Sequence, residues 1–554
     1  MKKKFFVLIA VLSGFVFFVA CSDTKKGESD VEPVVDDEAD FSDDEQDDND
    51  IADDSRFDHF IATLRKDLEK NKAYGVSVAI MEDGEVTFKI ALGSKDGEGK
   101  EPLTTDTLMQ IGSATKQMTA VALLQKIQEG KGGIDDNFEK LLPEVEFKNR
   151  KEWGEKITIR HLLTHQGGFY DWTEWNDRSD DEMLYYTGRN YSRNYFLMNP
   201  PGIFWNYSNP NFSFAGIITE KLDSRPWSDI MREDIFLPLG MERTYLRKSE
   251  VASDGDYAQS YGFSIDDLES GKTGTVDIDA IADSAFTRPA GLVWTTPEQM
   301  MIWAQFIIDG NSEVLSDDLR AEITKPQVDT LYGEGITYYG YGMMVEKGYM
   351  SKAGNWYETD VWQHDGATIS FTNSFYILPE HKFALSIISS GYGANFSDSV
   401  DAAITTIANL PKPSDPPEYK VDFDKFDGHT GTFHDPNNVG TMIITREGDK
   451  LLVSAPTLEE YGYEVTPELQ PLTSDIFIIY LNGDPYDITF IKEQGSGSSV
   501  YIRSRYFVLT RADTPEETKV IPPKENVRKL MLKSKMFPDM NLRRLIHRAT
   551  SHTL

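Results

Sequence analysis

Ile111-Gly112-Ser113-Ala114-Thr115-Lys116-Gln117-Met118 leads into an apolar run through Val121, Ala122, Leu123, Leu124 and Ile127. A serine and a lysine three residues apart at the start of a helix project from one face. The apolar residues that follow indicate a buried helix, so Lys116 sits where an ammonium group is poorly solvated. Burial disfavours the charged form and lowers a lysine from its ordinary pKa of about 10.4. A neutral amine beside a serine hydroxyl is a general base beside a nucleophile. The S-x-x-K pattern alone arises by chance in many chains, so its weight depends on what accompanies it.

A second element is Pro200-Pro201-Gly202-Ile203-Phe204-Trp205-Asn206-Tyr207-Ser208-Asn209. A Tyr-x-Asn triplet is weak by itself, but the Pro-Gly, aromatic and Asn-Pro context makes it specific. A tyrosine hydroxyl close to Lys116 relays the serine proton to a leaving group, if nearby positive charge tunes its ordinary pKa of about 10. Asn209 is expected to hydrogen-bond both Lys116 and a substrate amide.

With these two elements the sequence resembles the serine β-lactamase and penicillin-binding superfamily. The similar branch is that of class C β-lactamases, D-alanyl-D-alanine carboxypeptidases, D-aminopeptidases and related esterases. Ile159-Arg160-His161-Leu162-Leu163-Thr164-His165-Gln166-Gly167-Gly168 resembles that group's R-H-L-L-T-H-x-S-G phrase, with Gly167 where serine is usual. Arg288-Pro289-Ala290-Gly291-Leu292 and then Thr296-Pro297-Glu298-Gln299 resemble its later glycine segment and capped helix. The resemblance covers about residues 56–410, and the ordered set of phrases is specific.

The resemblance requires a third motif on a core strand after the glycine segment. The literal Lys272-Thr273-Gly274 precedes that segment and lies in a polar stretch. His364-Asp365-Gly366 follows it, and strand-like runs at 374–378 and 383–389 come next, so it is taken as an H-x-G variant with Lys272 as a decoy. The resemblance then implies that the N–H groups of Ser113 and Ala367 form an oxyanion hole. Gly366 admits the substrate backbone, and His364 partners Tyr207 or a substrate carboxylate. His161 and His165 have the spacing of helical metal ligands but no third ligand, so they read as structural. The aromatic-rich stretch Tyr170, Trp172, Trp175, Tyr185, Tyr186 and Tyr191 either roofs the cleft or packs on the body.

The 554 residues are enough for two folded domains with tails. A formal net charge of −35 disfavours nucleic acid as a partner. Lys2–Lys4 and the apolar stretch from Phe5 to Val19 form a signal segment too short to be a comfortable membrane span. Phe18-Val19-Ala20-Cys21 resembles a bacterial lipobox, so residues 1–21 are read as a lipoprotein signal peptide with Cys21 acylated. Ordinary signal cleavage or an uncleaved anchor are the alternatives. Residues 22–55 are an acidic, disordered tether. The hydrolase domain spans 56–410, opening with a helical stripe (Phe57, Phe60, Ile61, Leu64, Leu68) and a hairpin about Asp83-Gly84. A Pro-rich linker, 411–418, precedes a small antiparallel β-domain at 419–513, whose last strand-like run is 500–509. The basic tail 514–554 reads as solvated and partly helical, with a membrane-surface helix as the alternative.

The expected fold is therefore α/β and β-lactamase/transpeptidase-like: an antiparallel sheet flanked by helices, a helical lobe, then a small antiparallel β-domain. The expected activity is that of a serine hydrolase forming an acyl-enzyme on short peptides, D-amino-acid amides or esters at the cell envelope. It needs no metal or organic cofactor. The expected contacts are a small-molecule or peptide substrate, the membrane through the lipid anchor, and cell-wall peptide. A true β-lactamase and a non-catalytic cell-wall peptide-binding lipoprotein are the alternatives.

Overall fold

The computed structural model describes residues 55–536 apart from 148, 150, 333, 334, 418 and 419. Cys21, the signal segment, the tether up to residue 54 and the tail from residue 537 lie outside the described residues.

Helix α1 (Asp58–Lys70) turns Phe60 and Leu64 inward, as the apolar stripe requires. The hairpin of β1 (Gly75–Glu82) and β2 (Glu85–Gly93) turns at Asp83 and Gly84, both with positive φ (50° and 87°). Asp and Gly tolerate that region, which suits a two-residue hairpin turn. The sheet continues much later in the chain. Its further strands are β3 (Val328–Asp329), β4 (Thr337–Tyr339), β5 (Met344–Glu346), β6 (Val361–Gln363), β7 (Gly366–Ala367), β8 (Thr372–Leu378) and β9 (Phe383–Ser389). Among the described residues it has nine strands, ordered β2-β1-β9-β8-β6-β5-β4-β3, with β7 paired to β8. The first and last strands of this domain's sheet sequence thus meet near one edge, where β1 pairs antiparallel with β9.

Helix α2 (Thr115–Gln128) is buried from Thr115 to Lys126, and α3 (Asn209–Asp223) packs along it. An all-round buried helix is a core element rather than a surface one. Helix α4 (Pro297–Asp309) lies on β1 and β9. Helix α5 (Ser397–Thr406) packs against α1, where buried Asp67 accepts from the N–H and hydroxyl of Ser399 at 2.9 and 2.7 Å.

After the linker comes an eight-stranded antiparallel sheet. Its strands are β10 (Gly431–Asp435), β11 (Gly440–Glu447), β12 (Lys450–Ser454), β13 (Gln470–Pro471), β14 (Ile476–Leu481), β15 (Asp484–Lys492), β16 (Ser499–Ser504) and β17 (Phe507–Arg511). The run expected as one strand at 500–509 is two, because the chain reverses at Arg505-Tyr506 and pairs Ser504 with Phe507. Alternation of apolar residues continues through the turn, which hides it in the sequence. The tail also differs from expectation. Helix α6 (Lys524–Met536) is docked, with Val527, Leu530 and Met531 in the core of this second sheet.

The second sheet is tied to the first domain through buried Arg503. Its guanidinium donates to the carbonyls of Trp205 and Thr330, each at 2.8 Å, and to Thr489 Oγ1 at 3.0 Å. Tyr332 donates to Asp487 Oδ2 at 2.7 Å across the same boundary.

Candidate active site

Ser113 sits in a short 3-10 turn, Gly112–Ala114, that runs directly into α2. One turn on, Lys116 is fully buried, and its Nζ stands 2.9 Å from Ser113 Oγ, 2.8 Å from Asn209 Oδ1 and 2.7 Å from the Ala290 carbonyl. Burial drives the Lys116 ammonium well below its ordinary value; Asp171 pulls the other way and Arg505 adds to the depression. A neutral amine has two N–H bonds and one lone pair. The amide oxygen and the carbonyl can only accept, so they take both hydrogens and the lone pair is left for the Ser113 hydroxyl.

Tyr207, just before α3, donates to Ser113 Oγ at 2.7 Å. The serine oxygen therefore lies between a base and a hydroxyl donor. Beneath the tyrosine ring is His165, 4.3 Å away between ring centroids. Burial holds its imidazole well below the ordinary value, and the charges of Lys116, His364 and Arg505 add to that. His165 Nδ1 accepts from the Ser208 N–H at 3.2 Å, which fixes the loop carrying Tyr207. His161 caps its helix, with Nδ1 accepting from the Thr158 N–H.

Asn209 is turned by the groups behind it. Its Nδ2 donates to Asp171 Oδ1 at 3.1 Å and to Thr173 Oγ1 at 2.9 Å, and its backbone N–H donates to the same Asp171 oxygen at 2.9 Å. With both amide hydrogens so used, the expected contact of Asn209 with a substrate amide has no spare N–H; its oxygen remains on Lys116.

The opposite rim is the third-motif strand. A Cβ on Gly366 would come 1.8 Å from the Ile111 carbonyl oxygen, and one on Gly112, whose φ is +54°, would come 2.4 Å from Ala367 N. Two glycines therefore let the Ser113 turn and β7 touch backbone to backbone, which brings Ala367 N beside Ser113. Buried His364 has Nδ1 2.7 Å from the Asp365 carbonyl, to which it must donate, and Nε2 3.2 Å from Tyr339 Oη. Its ring centroid is 6.2 Å from that of Tyr207. Lys272 is exposed on a turn before a short strand and does not line the cleft.

The aromatic stretch divides its labour. Trp175 lines the cleft, whereas Trp172 and Tyr191 cluster with Tyr195, centroids 4.9–5.9 Å apart.

Three residues with no sequence signal complete the site. Asp171, fully buried, binds Arg505 Nε and Nη2 through Oδ2 at 3.2 and 3.1 Å. Burial raises its carboxyl, but Lys533, Arg505 and the Asn209 N–H outweigh that and hold it below the ordinary range. Arg505 comes from the β16–β17 turn and Lys533 from α6, so the second sheet contributes to the wall of the cleft. Neither residue lies near a recognisable motif, and only their cationic character was visible beforehand.

Comparison with known proteins follows the same outline. The family model described as Beta-lactamase matches residues 60–409. Penicillin-binding protein 4* of Bacillus subtilis (strain 168) is 26% identical over 213 residues, 37% of this chain and 45% of that protein. The D-aminopeptidase of Brucella anthropi is 27% identical over 291 residues, 51% of each chain. The chain spans about half the length of the curated relatives it matches. The crystal structure of SurE superposes with a TM-score of 0.61 at 20% identity, covering 82% of this chain and 99% of that one. This last likeness is one of fold.

Proposed function

Since the chain belongs to the beta-lactamase family, whose model matches residues 60–409, we propose that it is a serine hydrolase that works through an acyl-enzyme on Ser113. The observation that carries this reading is the position of Ser113 Oγ, 2.9 Å from the Lys116 amine and 2.7 Å from the Tyr207 hydroxyl. The depressed ammonium supports Lys116 as the base that takes the serine proton while Oγ bonds to the substrate carbonyl carbon. The oxyanion that forms is received by the N–H groups of Ser113 and Ala367. Tyr207 gives its proton to the leaving nitrogen or oxygen, and the Lys116 ammonium restores the tyrosine. Water then attacks the ester, passing a proton back along the same groups, and Ser113 is regenerated. His364, across the rim from Tyr207, stabilises charge on that residue as the proton moves, and Asn209 orients Lys116.

The substrates proposed are short peptides, D-amino-acid amides or esters, by analogy with the D-aminopeptidase and the penicillin-binding protein it resembles. The position of Lys272 outside the cleft weighs against a K-T-G enzyme and so against a true β-lactamase. The proposed setting is the cell envelope, with the protein held to the membrane through acylated Cys21 and in contact with cell-wall peptide. The test is to identify, by mass spectrometry of quenched reactions, the acyl group on Ser113 after exposure to a penicillin, a D-amino-acid amide and a p-nitrophenyl ester. Ser113→Ala should abolish both the adduct and fluorophosphonate labelling. Labelling retained at the wild-type level would place the nucleophile elsewhere, and binding without any adduct would favour a peptide-binding lipoprotein.

A further inference from the structure

Tyr207 belongs to a closed circuit of four aromatic rings. Going round it, the centroids are 4.3 Å apart for Tyr207 and His165, 4.9 Å for His165 and Tyr339, 6.1 Å for Tyr339 and His364, and 6.2 Å for His364 and Tyr207. Three of these residues lie in the phrases read from the sequence; Tyr339 does not. It is the last residue of β4 and is paired on both sides, with Val328 of β3 and Met344 of β5. Its side chain is fully buried, and the ring also packs 6.0 Å from that of Trp205. Backbone and ring are therefore both held, and the hydroxyl keeps one free motion, rotation about its C–O bond.

That hydroxyl meets His364, with Oη 3.2 Å from Nε2. The Asp365 carbonyl, 2.7 Å from Nδ1, can only accept, so Nδ1 carries a hydrogen. In the neutral imidazole Nε2 is then a lone pair, and Tyr339 donates to it. In the imidazolium Nε2 carries a hydrogen, and the phenol oxygen accepts it. A hydroxyl serves in either sense, so the ring keeps both contacts whichever charge it carries. Burial, with Tyr207 adding to it, drives the Tyr339 phenol well above its ordinary value. Tyr339 thus stays a hydroxyl and does not compete as a base. It stands outside the lining of the cleft, so any effect on the reaction passes through His364.

We propose that Tyr339 is a positioning residue, its hydroxyl holding the His364 ring in one orientation against Tyr207 in both charge states. This rests on the hydrolase reading above and adds to it a residue that touches no substrate. A histidine that answers a change of charge on Tyr207 works best if it need not turn when that charge appears. Contacts at both nitrogens oppose a flip of the ring about its Cβ–Cγ bond, which would break the two together.

The test is a double-mutant cycle on the full chain with a p-nitrophenyl ester, kcat and KM being measured separately. Tyr339→Phe removes the hydroxyl and keeps the ring. It should lower kcat at least about fivefold where His364 is present and less than about twofold in the His364→Ala background. A purely structural role would cost the same factor in both. A second readout is the ¹⁵N spectrum of histidine-labelled protein at a pH where the imidazole is neutral, with His364 assigned by its loss in His364→Ala. Nδ1 should be the protonated nitrogen, and the Nε2 resonance should move downfield in Tyr339→Phe as its lone pair loses a donor. Equal losses of kcat in the two backgrounds, an unchanged kcat, or an unmoved Nε2 resonance would overturn the proposal. If Tyr339→Phe fails to fold, the wild-type spectrum still decides, because a proton on Nε2 in the neutral ring also overturns it. Failure of the hydrolase reading is seen separately, as wild-type protein whose Ser113 takes no fluorophosphonate while the His364 resonances still report the Tyr339 contact.

Discussion

Arg505 lies face-on to Tyr207, its guanidinium carbon 4.7 Å from the ring centroid, although nearly three hundred residues separate them in the chain. Lys116 Nζ is 4.9 Å from the same ring. The tyrosine that bonds to Ser113 is thus flanked by one group from its own domain and one from the next. Positive charge close to a ring stabilises a developing phenolate. The second sheet therefore supplies part of the wall of the candidate site.

His364→Ala should lower kcat by about 10²- to 10⁴-fold, the range of a positioned acid–base partner, which is roughly 3–5 kcal/mol of transition-state stabilisation. Lys272→Ala, on an exposed turn, should change stability by less than about 0.5 kcal/mol and leave the rate nearly untouched. Steady-state kinetics on both variants, with circular dichroism to confirm folding, decides. An inert His364 with an essential Lys272 would reverse the assignment of the third motif.

Lys116 should make stability depend on pH. Its folded value is well below the 10.5 of the exposed group, so between the two the unfolded chain holds a proton that the folded one lacks. Stability then rises with pH across that window. Wild type compared with Lys116→Met should gain up to about 1.4 kcal/mol per pH unit there. Urea denaturation at pH 7 and 9 measures the difference, and a flat difference would mean that folded Lys116 is charged. Activity should fall as pH drops through the folded value, because a protonated amine cannot accept the serine proton.

Arg503→Met should strip the Trp205 and Thr330 carbonyls of their buried donor. Each unsatisfied carbonyl costs about 1–3 kcal/mol, so a loss of at least about 2 kcal/mol is expected. Trp205 is two residues from Tyr207, so kcat/KM should fall with it. Denaturant melts and kinetics on the same preparation check both; unchanged values would show that the second sheet does not brace the Tyr207 loop.

Cys21→Ala should leave the protein unprocessed or in the aqueous phase on detergent partitioning, whereas the parent enters the detergent phase. A single acyl chain binds membranes only marginally, so stable partitioning implies more than one chain on that residue. An unmodified N-terminus downstream of Cys21, found by mass spectrometry, would remove the anchor.

Local chemistry made one part of this protein legible in advance. The periodicity of Phe60 and Leu64, the Asp83-Gly84 turn, and the spacing of Ser113 and Lys116 are properties of neighbouring residues, and each is realised where it was read. The order of the longer phrases carried Tyr207 and the H-x-G strand, because these lie on elements whose patterns are self-contained. Tertiary structure alone decided the rest. The reversal at Arg505-Tyr506 is masked by apolar alternation on both sides, and the docking of α6 depends on a groove that exists only once the second sheet has formed. Asp171, Arg505 and Lys533 come together because a buried carboxylate demands cationic partners, and the chain found them in another domain. Such a match is set by desolvation and shape at a contact between distant segments, and no local pattern encodes it.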